Sequence, residues 1–154
     1  MAKMANRQRL LDKMAAMPSA VRSAVKQALA EGADEITDDM KRLAPKRTGK
    51  LRNSIVQTWG GGKVRYSSLS GSSGEAGDPD LSVRISAGNS EVRYAHLVEF
   101  GTAPHLNGGL FAGSRHPGTS PNAFFFPAYR SRRRRVKARI SRATTKAVKR
   151  FVAT

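Results

Sequence analysis

The sequence predicts an α+β domain: N-terminal helices, then a small antiparallel β-sheet of three to four strands, then a basic C-terminal helix packed on the sheet. Three observations support this. Apolar residues recur at helical spacing before Pro45 and again after Pro127. Between them, residues 51–59 read with a period of two, and apolar residues alternate with polar ones over residues 81–87. The chain has 154 residues, enough to bury a core without disulfides or metals. We therefore expect residues 1–154 to form a single domain.

The N-terminal part, residues 1–44, is predicted to be helical. Leucine and methionine over residues 5–16 indicate a first helix, which Pro18 interrupts because proline does not fit a helix interior. Ser19 can cap a second helix over residues 20–43. Its apolar stripe is Val21, Val25, Ala28, Leu29, Ile36, Met40 and Leu43. Pro45 ends this helix.

The sheet is predicted within residues 51–100. Residues 51–59 read as its first strand, and residues 63–68 read as a possible return strand after three consecutive glycines. Residues 67–80 are rich in glycine and serine, which cannot bury enough apolar surface to order a segment. We therefore predict a mobile loop there.

A second strand is predicted at residues 81–87, where apolar and polar residues alternate. Gly88 and Asn89 favour a hairpin turn, so residues 91–96 are predicted to be the partner strand. Residues 97–100 fit either the end of that strand or a helical turn.

A long loop is predicted at residues 101–123, which contain several glycines and prolines. The basic C-terminal helix is predicted at residues 127–152, because Pro127 suits a first helical turn. Its apolar stripe is Val136, Ile140, Ala143, Ala147 and Phe151.

The charge of the chain is concentrated at its C-terminal end. Lys and Arg number 28 against 11 acidic residues, for a net charge of +17, and residues 129–154 contain no acid. Such a field indicates a polyanionic partner, most simply nucleic acid. The candidate DNA-facing residues are Arg132, Arg133, Arg134, Arg135, Lys137 and Arg139. A solvated helix face, or pairing with the acidic group at residues 34–39, is the competing interpretation.

The sequence gives no indication of an enzyme. It lacks cysteine and contains no phosphate-binding loop, dinucleotide fingerprint or nucleophile-elbow motif. The three histidines, His96, His105 and His116, match no metal-binding spacing. We therefore expect no catalytic residues, cofactor or metal. There is also no apolar run near the roughly 20 residues that cross a bilayer and no apolar signal-peptide core, so we expect neither membrane insertion nor secretion.

Three segments together resemble the tail-component or morphogenesis family of long-tailed bacteriophages, typified by the gene ten product of a lambdoid coliphage. They are residues 44–55, 94–102 and 121–129, and the resemblance covers about residues 20–150. The matching positions are Pro45, Thr48, Gly49, Leu51, Ser54, Ile55, Tyr94, Ala95, Val98, Glu99, Phe100, Gly101, Thr102, Phe124, Phe126 and Pro127. This chain differs in its longer stretch at residues 103–120 and in its arginine-rich last helix.

This resemblance implies a structural subunit of the virion neck. The expected role is a head–tail connector or tail-completion protein, forming a ring between the head-closure ring and the tail tube around the DNA path. Implied partners are copies of itself, expected as a hexamer, a head-closure or stopper protein, the tail tube protein and double-stranded DNA. The expected localisation is the virion neck or tail, after assembly in the cytoplasm of the host bacterium. A tail terminator and a free, sequence-independent DNA-binding module remain alternatives.

Several motif residues allow two interpretations. At least two of Phe124, Phe125 and Phe126 are expected in the core, although the run could anchor a partner. Trp59 fits a core or an interface equally. Glu99 could contact another subunit or cap the turn at residues 101–102.

Overall fold

The computed structural model describes residues 18–60, 78 and 80–152. Over these residues the chain forms helices and two small antiparallel sheets, which confirms the predicted α+β class. The predicted helix at residues 5–16 and return strand at residues 63–68 lie outside the described residues, as does most of the loop predicted at residues 67–80. The elements are α1 (Ser19–Leu43), α2 (Lys50–Asn53), β1 (Val56–Trp59), β2 (Val83–Ser86), α3 (Ala95–Phe100), β3 (His105–Leu106), a 3-10 turn (Gly109–Phe111), β4 (Arg115–His116) and α4 (Phe125–Val152).

Helix α1 matches its prediction to within one residue. Ser19 is its first residue rather than its cap, so the predicted Ser19 cap is wrong. Pro18 occupies the capping position, and its carbonyl accepts hydrogen bonds from the backbone nitrogens of Val21 and Arg22, both at 3.0 Å. Near this end Arg22 donates to both carboxylate oxygens of Asp78, at 2.9 and 3.0 Å.

Helices α1 and α4 pack along each other and form the main body. They run in opposite directions, because Asp39 meets Arg132 whereas Glu31 meets Arg139. Gly32 permits their close approach, since a β-carbon built on it would lie 2.5 Å from Cγ1 of Val136. The α4 residues Ala128 and Val136 share one core cluster with α1 and the helix–strand corner, and Ile85 of β2 packs against that cluster.

The corner after α1 is a helical turn rather than the start of a strand. Helix α2 begins after Gly49, whose φ of 72° lies in the left-handed region that suits glycine. Leu51 and Ile55 are both buried. Their four-residue separation fits a helical turn as well as it fits alternation, which explains why the strand was predicted too early. Ser54 fixes the corner by donating to the Leu51 carbonyl at 2.7 Å and accepting from the Gly88 nitrogen at 3.1 Å.

Strand β2 pairs with β1, not with residues 91–96. The antiparallel register places Val56 opposite Ser86 and Trp59 opposite Val83. The predicted hairpin at Gly88 and Asn89, and the strand after it, are therefore wrong.

Residues 91–100 turn and then form helix α3 because the Asn89 side chain redirects the backbone. Its Oδ1 accepts from the nitrogens of Glu91 and Val92, at 3.0 and 2.8 Å. This pattern stabilises a turn in competition with strand pairing. Val92, Ala95 and Glu99 are buried at steps of three and four, as in a helix.

The segment predicted as a long loop contains a closed hairpin, which we call the arm (residues 102–119). At its base the backbones of Thr102 and Thr119 exchange two hydrogen bonds, at 3.0 and 3.1 Å, and their hydroxyls lie 2.9 Å apart. Strands β3 and β4 pair above this base, and the 3-10 turn closes the far end. Within the part of the chain that the structure describes, no helix is long and apolar enough to cross a membrane.

Candidate interaction surfaces

Glu99 joins α3 to the first turn of α4. It is only 6% exposed, and its Oε2 accepts hydrogen bonds from the backbone nitrogens of Phe124 and Phe125, at 2.8 and 2.9 Å. Its Oε1 accepts from the nitrogen of Phe126 at 3.0 Å. These amides have no partners within their own helix, and a carboxylate is favoured at a helix N-terminus. Glu99 thus caps α4 from a distance, rather than capping the turn at residues 101–102.

The other motif residues divide between the body and its surface. The motif residues at the α1–α2 corner and where α3 meets α4 are structural. Leu51, Ser54 and Phe124 are buried, and Val98 is half-buried. Gly101 follows α3 with a φ of 73°, and a β-carbon there would lie 2.5 Å from the Thr119 carbonyl oxygen. The exposed members are Thr48, Tyr94, Phe100, Phe126 and Pro127.

An aromatic patch lies where α3 meets α4. Phe100 is 65% exposed and Phe126 is 40% exposed, and their ring centroids are 5.9 Å apart. Arg130 places its guanidinium 5.9 Å from the centroid of Phe126, a distance suited to a cation–π contact. Phe124 is buried and the half-buried Phe125 packs against the core, as predicted for two members of the run.

The tip of the arm carries a second apolar surface. Leu110 is 99% exposed, and Leu106 and Phe111 are each 72% exposed. These residues were not predicted because their spacing does not continue beyond one helical turn within the glycine-rich loop. Apolar residues between glycines in an otherwise polar loop were the available signal. Exposed apolar clusters of this kind mark interaction sites in soluble proteins.

Three acids of α1 pair with three arginines of α4. Asp39 binds Nε of Arg132 and, at 2.9 Å, Nη2 of Arg42. Glu35 binds Arg139 and lies 3.7 Å from Arg135, and Glu31 lies 3.7 Å from Arg139. The competing interpretation from the sequence was that the arginines pair with the acidic group at residues 34–39. It applies to Arg132, Arg135 and Arg139, which are half of the candidate DNA-facing residues.

The ion pairs also lower the pKa values of two α1 carboxyl groups. The hydrogen bond from Arg132 holds the pKa of Asp39 below its usual value, although partial burial opposes the shift. The hydrogen bond from Arg139 lowers the pKa of Glu35 in the same way, against burial and with help from the charge of Arg135. Both shifts show that these carboxylates are stabilised in their charged form.

The remaining candidate DNA-facing residues point away from α1. Arg133, Arg134 and Lys137 are exposed, and none of them has an acidic partner among the described residues. The predicted set of six thus divides into three arginines that hold the helix pair and three cations on the surface.

The histidines are dispersed between α3 and the arm. His96 is exposed on α3, whereas His105 and His116 stack across β3 and β4 with ring centroids 5.0 Å apart. The described ranges contain no group of three or more His, Cys, Asp or Glu residues placed to hold a metal ion. Trp59 is half-buried at the end of β1.

One comparison with known proteins gives a match. The family model described as "Bacteriophage HK97-gp10, putative tail-component" matches residues 8–101, more than half of the chain. The matched segment includes α1 to α3 and ends at Gly101, immediately before the arm. No curated protein and no solved structure gives a significant match.

Proposed function

The chain belongs to the HK97-gp10-like family of bacteriophage tail components, and we propose that it acts in the virion neck as a head–tail connector or tail-completion protein. In this proposal its copies form a ring, expected to have six members, between the head-closure ring and the tail tube. The ring surrounds the path of the DNA and presents one surface to the head-side connector.

The apolar tip of the arm carries this proposal beyond family membership. Leu110 is almost fully exposed at the end of a hairpin that is closed at its base by Thr102 and Thr119. Burying apolar surface contributes about 25 cal/mol per Å², so docking the tip would favour association. A hairpin that projects such residues is suited to reach a neighbouring subunit or ring.

The two apolar surfaces differ in shape and composition. The tip is formed by Leu106, Leu110 and Phe111, whereas the patch at the start of α4 is formed by Phe100 and Phe126. Contacts between unlike surfaces of identical subunits are head-to-tail, and they produce rings when the rotation closes. Two unlike surfaces on one subunit therefore support a ring rather than a two-fold dimer.

The surplus positive charge supports a place beside DNA. The three α4 arginines that meet α1 are neutralised, but exposed cations remain on the same helix. Contacts of this kind act on phosphates without reading sequence. A surface that holds or passes DNA in a channel requires only such contacts.

Electron microscopy of particles assembled without this protein tests the proposal. Separate DNA-filled heads and tails of normal length are expected, and supplying the wild-type protein should restore joined particles. Overlong tails without heads would instead identify a tail terminator. Normal infectious particles would overturn the neck assignment.

A further inference from the structure

Within the described ranges, Arg142, Lys146 and Lys149 in the last part of α4 have no acidic partner on α1. Glu31 is the first acid of α1, because residues 19–30 contain none, and Glu31 meets Arg139. The helices run in opposite directions, so α4 beyond Arg139 lies along the acid-free half of α1. The two cations of that half, Arg22 and Lys26, bind Asp78 and Asp80 respectively.

These three cations share one exposed side of the helix. Arg142, Lys146 and Lys149 follow each other at steps of four and three, and all are exposed. Among the described residues none of them has an acidic partner, and the Arg142 guanidinium contacts only the Ala138 carbonyl of its own helix, at 3.2 Å. We call these three residues the distal basic face.

A shallow groove of about 490 Å³ runs along this face. Ser141 and Thr145 line it together with the three cations and Arg150. The short side chains let a ligand approach the helix between the long basic ones. From Arg142 to Lys149 the helix rises about 10 Å at 1.5 Å per residue. Duplex DNA carries one phosphate charge per roughly 1.7 Å of axis, so several phosphates lie within reach of the face.

We propose that the distal basic face binds the phosphates of double-stranded DNA, whereas Arg132, Arg135 and Arg139 hold α1. The choice of DNA as the occupant rests on the proposed place of the protein around the DNA path. Among the described residues its three cations have no acidic partner, and the groove between them gives a phosphate access to the helix. The hydroxyl of Ser141 is available as an additional phosphate donor. Lysines on a flexible stem contact phosphates as point charges, so we expect no sequence preference.

Two triple variants of the full-length protein test this assignment. The first is Arg142→Gln, Lys146→Gln and Lys149→Gln. The matched control is Lys46→Gln, Arg47→Gln and Arg52→Gln, which removes the same charge from exposed positions at the α1–α2 corner. Binding to a 20-base-pair duplex of mixed sequence is measured by fluorescence anisotropy at several salt concentrations, and thermal unfolding verifies that both variants fold.

The first variant should lose at least 10-fold in affinity at low salt, and the slope of log K against log salt should fall by about 2 to 3, at about 0.9 per lost phosphate contact. The control should stay within about 3-fold with an unchanged slope. Equal losses in both variants would overturn the proposal, because non-local charge alone would then explain binding. Absence of wild-type binding at low salt would also overturn it and would indicate an acidic protein surface as the partner.

The DNA-binding test and the electron-microscopy test of the neck assignment have independent outcomes. If particles without the protein lose head–tail joining while the two variants bind DNA equally, the neck role is supported and DNA binding by the distal basic face is rejected. If particles without the protein are normal but the variants show the predicted salt slopes, the neck role is rejected and DNA binding by the distal basic face is supported.

Discussion

The Glu99 carboxylate lies 2.8 Å from the backbone nitrogen of Phe124, although the two residues belong to different elements. This bond and its two neighbours fix the end of α3 against the start of α4. The arm leaves the chain between these two points, so one buried carboxylate determines how its base is held.

Replacing Glu99 should destabilise the fold. Glu99→Ala leaves three helix-terminal amides without their acceptor, and we expect the free energy of unfolding to fall by about 2–4 kcal/mol. Chemical denaturation measures the change. Glu91→Ala removes an exposed carboxylate that is bound to Lys50 at 3.3 Å, and should change stability by no more than about 0.5 kcal/mol. Equal effects of the two substitutions would contradict the capping role.

Gly32→Ala should also destabilise the protein, although alanine usually favours a helix. The new β-carbon would meet Cγ1 of Val136 at 2.5 Å, so either the Val136 side chain or the helix pair must shift, at an expected cost of about 1–3 kcal/mol. Val136→Ala in the same chain should recover part of the loss, and a double-mutant cycle measures the coupling. Gly108→Ala is the control, because open space surrounds that position. Independent effects of the two helix substitutions would show that the helices do not touch there.

Acid should weaken the α1–α4 pairing. The folded-state pKa values of Asp39 and Glu35 are lowered, chiefly by hydrogen bonds from Arg132 and Arg139. Their contribution to stability is therefore complete above the unfolded-state values of about 3.9 and 4.3, and is lost as the pH falls through the lower folded values. Urea unfolding from pH 7 to pH 2 measures this dependence.

The acid dependence should be smaller in Asp39→Asn, which also lowers stability at pH 7. Asp38→Asn is the control, since it removes an exposed carboxylate from the same helix. An identical acid dependence in both variants would show that the Asp39 pair does not contribute.

Polar substitutions at the tip of the arm should affect assembly without affecting folding. Leu110→Ser and Phe111→Ser together remove apolar surface that is already exposed to solvent, so the unfolding free energy should change by no more than about 0.5 kcal/mol. Complementation of particles that lack the wild-type protein should nevertheless yield fewer joined heads and tails. Ala112→Ser, on the same hairpin, should complement fully. Full complementation by the tip variant would remove the arm from the proposed mechanism.

The long helices could be predicted from the sequence because each repeats its apolar stripe over several turns. The predicted bounds of α1 agree with the structure to within one residue, and α4 begins at Phe125 instead of the predicted residue 127. Helix α3 could be predicted only in part, as the helical-turn alternative for residues 97–100, because it is short and depends on contacts made by single side chains. The Asn89 side chain turns the backbone before it, and Glu99 at its end bonds residues 25 to 27 positions away.

The candidate surfaces were predictable only in part. The acidic group at residues 34–39 and the arginine run were both visible, but their pairing depends on the packing of Gly32 against Val136. That packing determines which cations meet α1 and which face solvent. The tip of the arm gave no periodic signal, since its exposed residues are brought together by the β3–β4 pairing.

The bridge between Thr102 and Thr119 has an evolutionary consequence. It closes residues 103–118 into a unit whose two ends enter and leave the body side by side, and the family match stops just before it. A lineage could lengthen, shorten or exchange that unit while leaving the Glu99 joint intact. In the proposed assembly, the docking specificity of the arm and the stability of the body could therefore change independently, and grafting a different arm would test this separation.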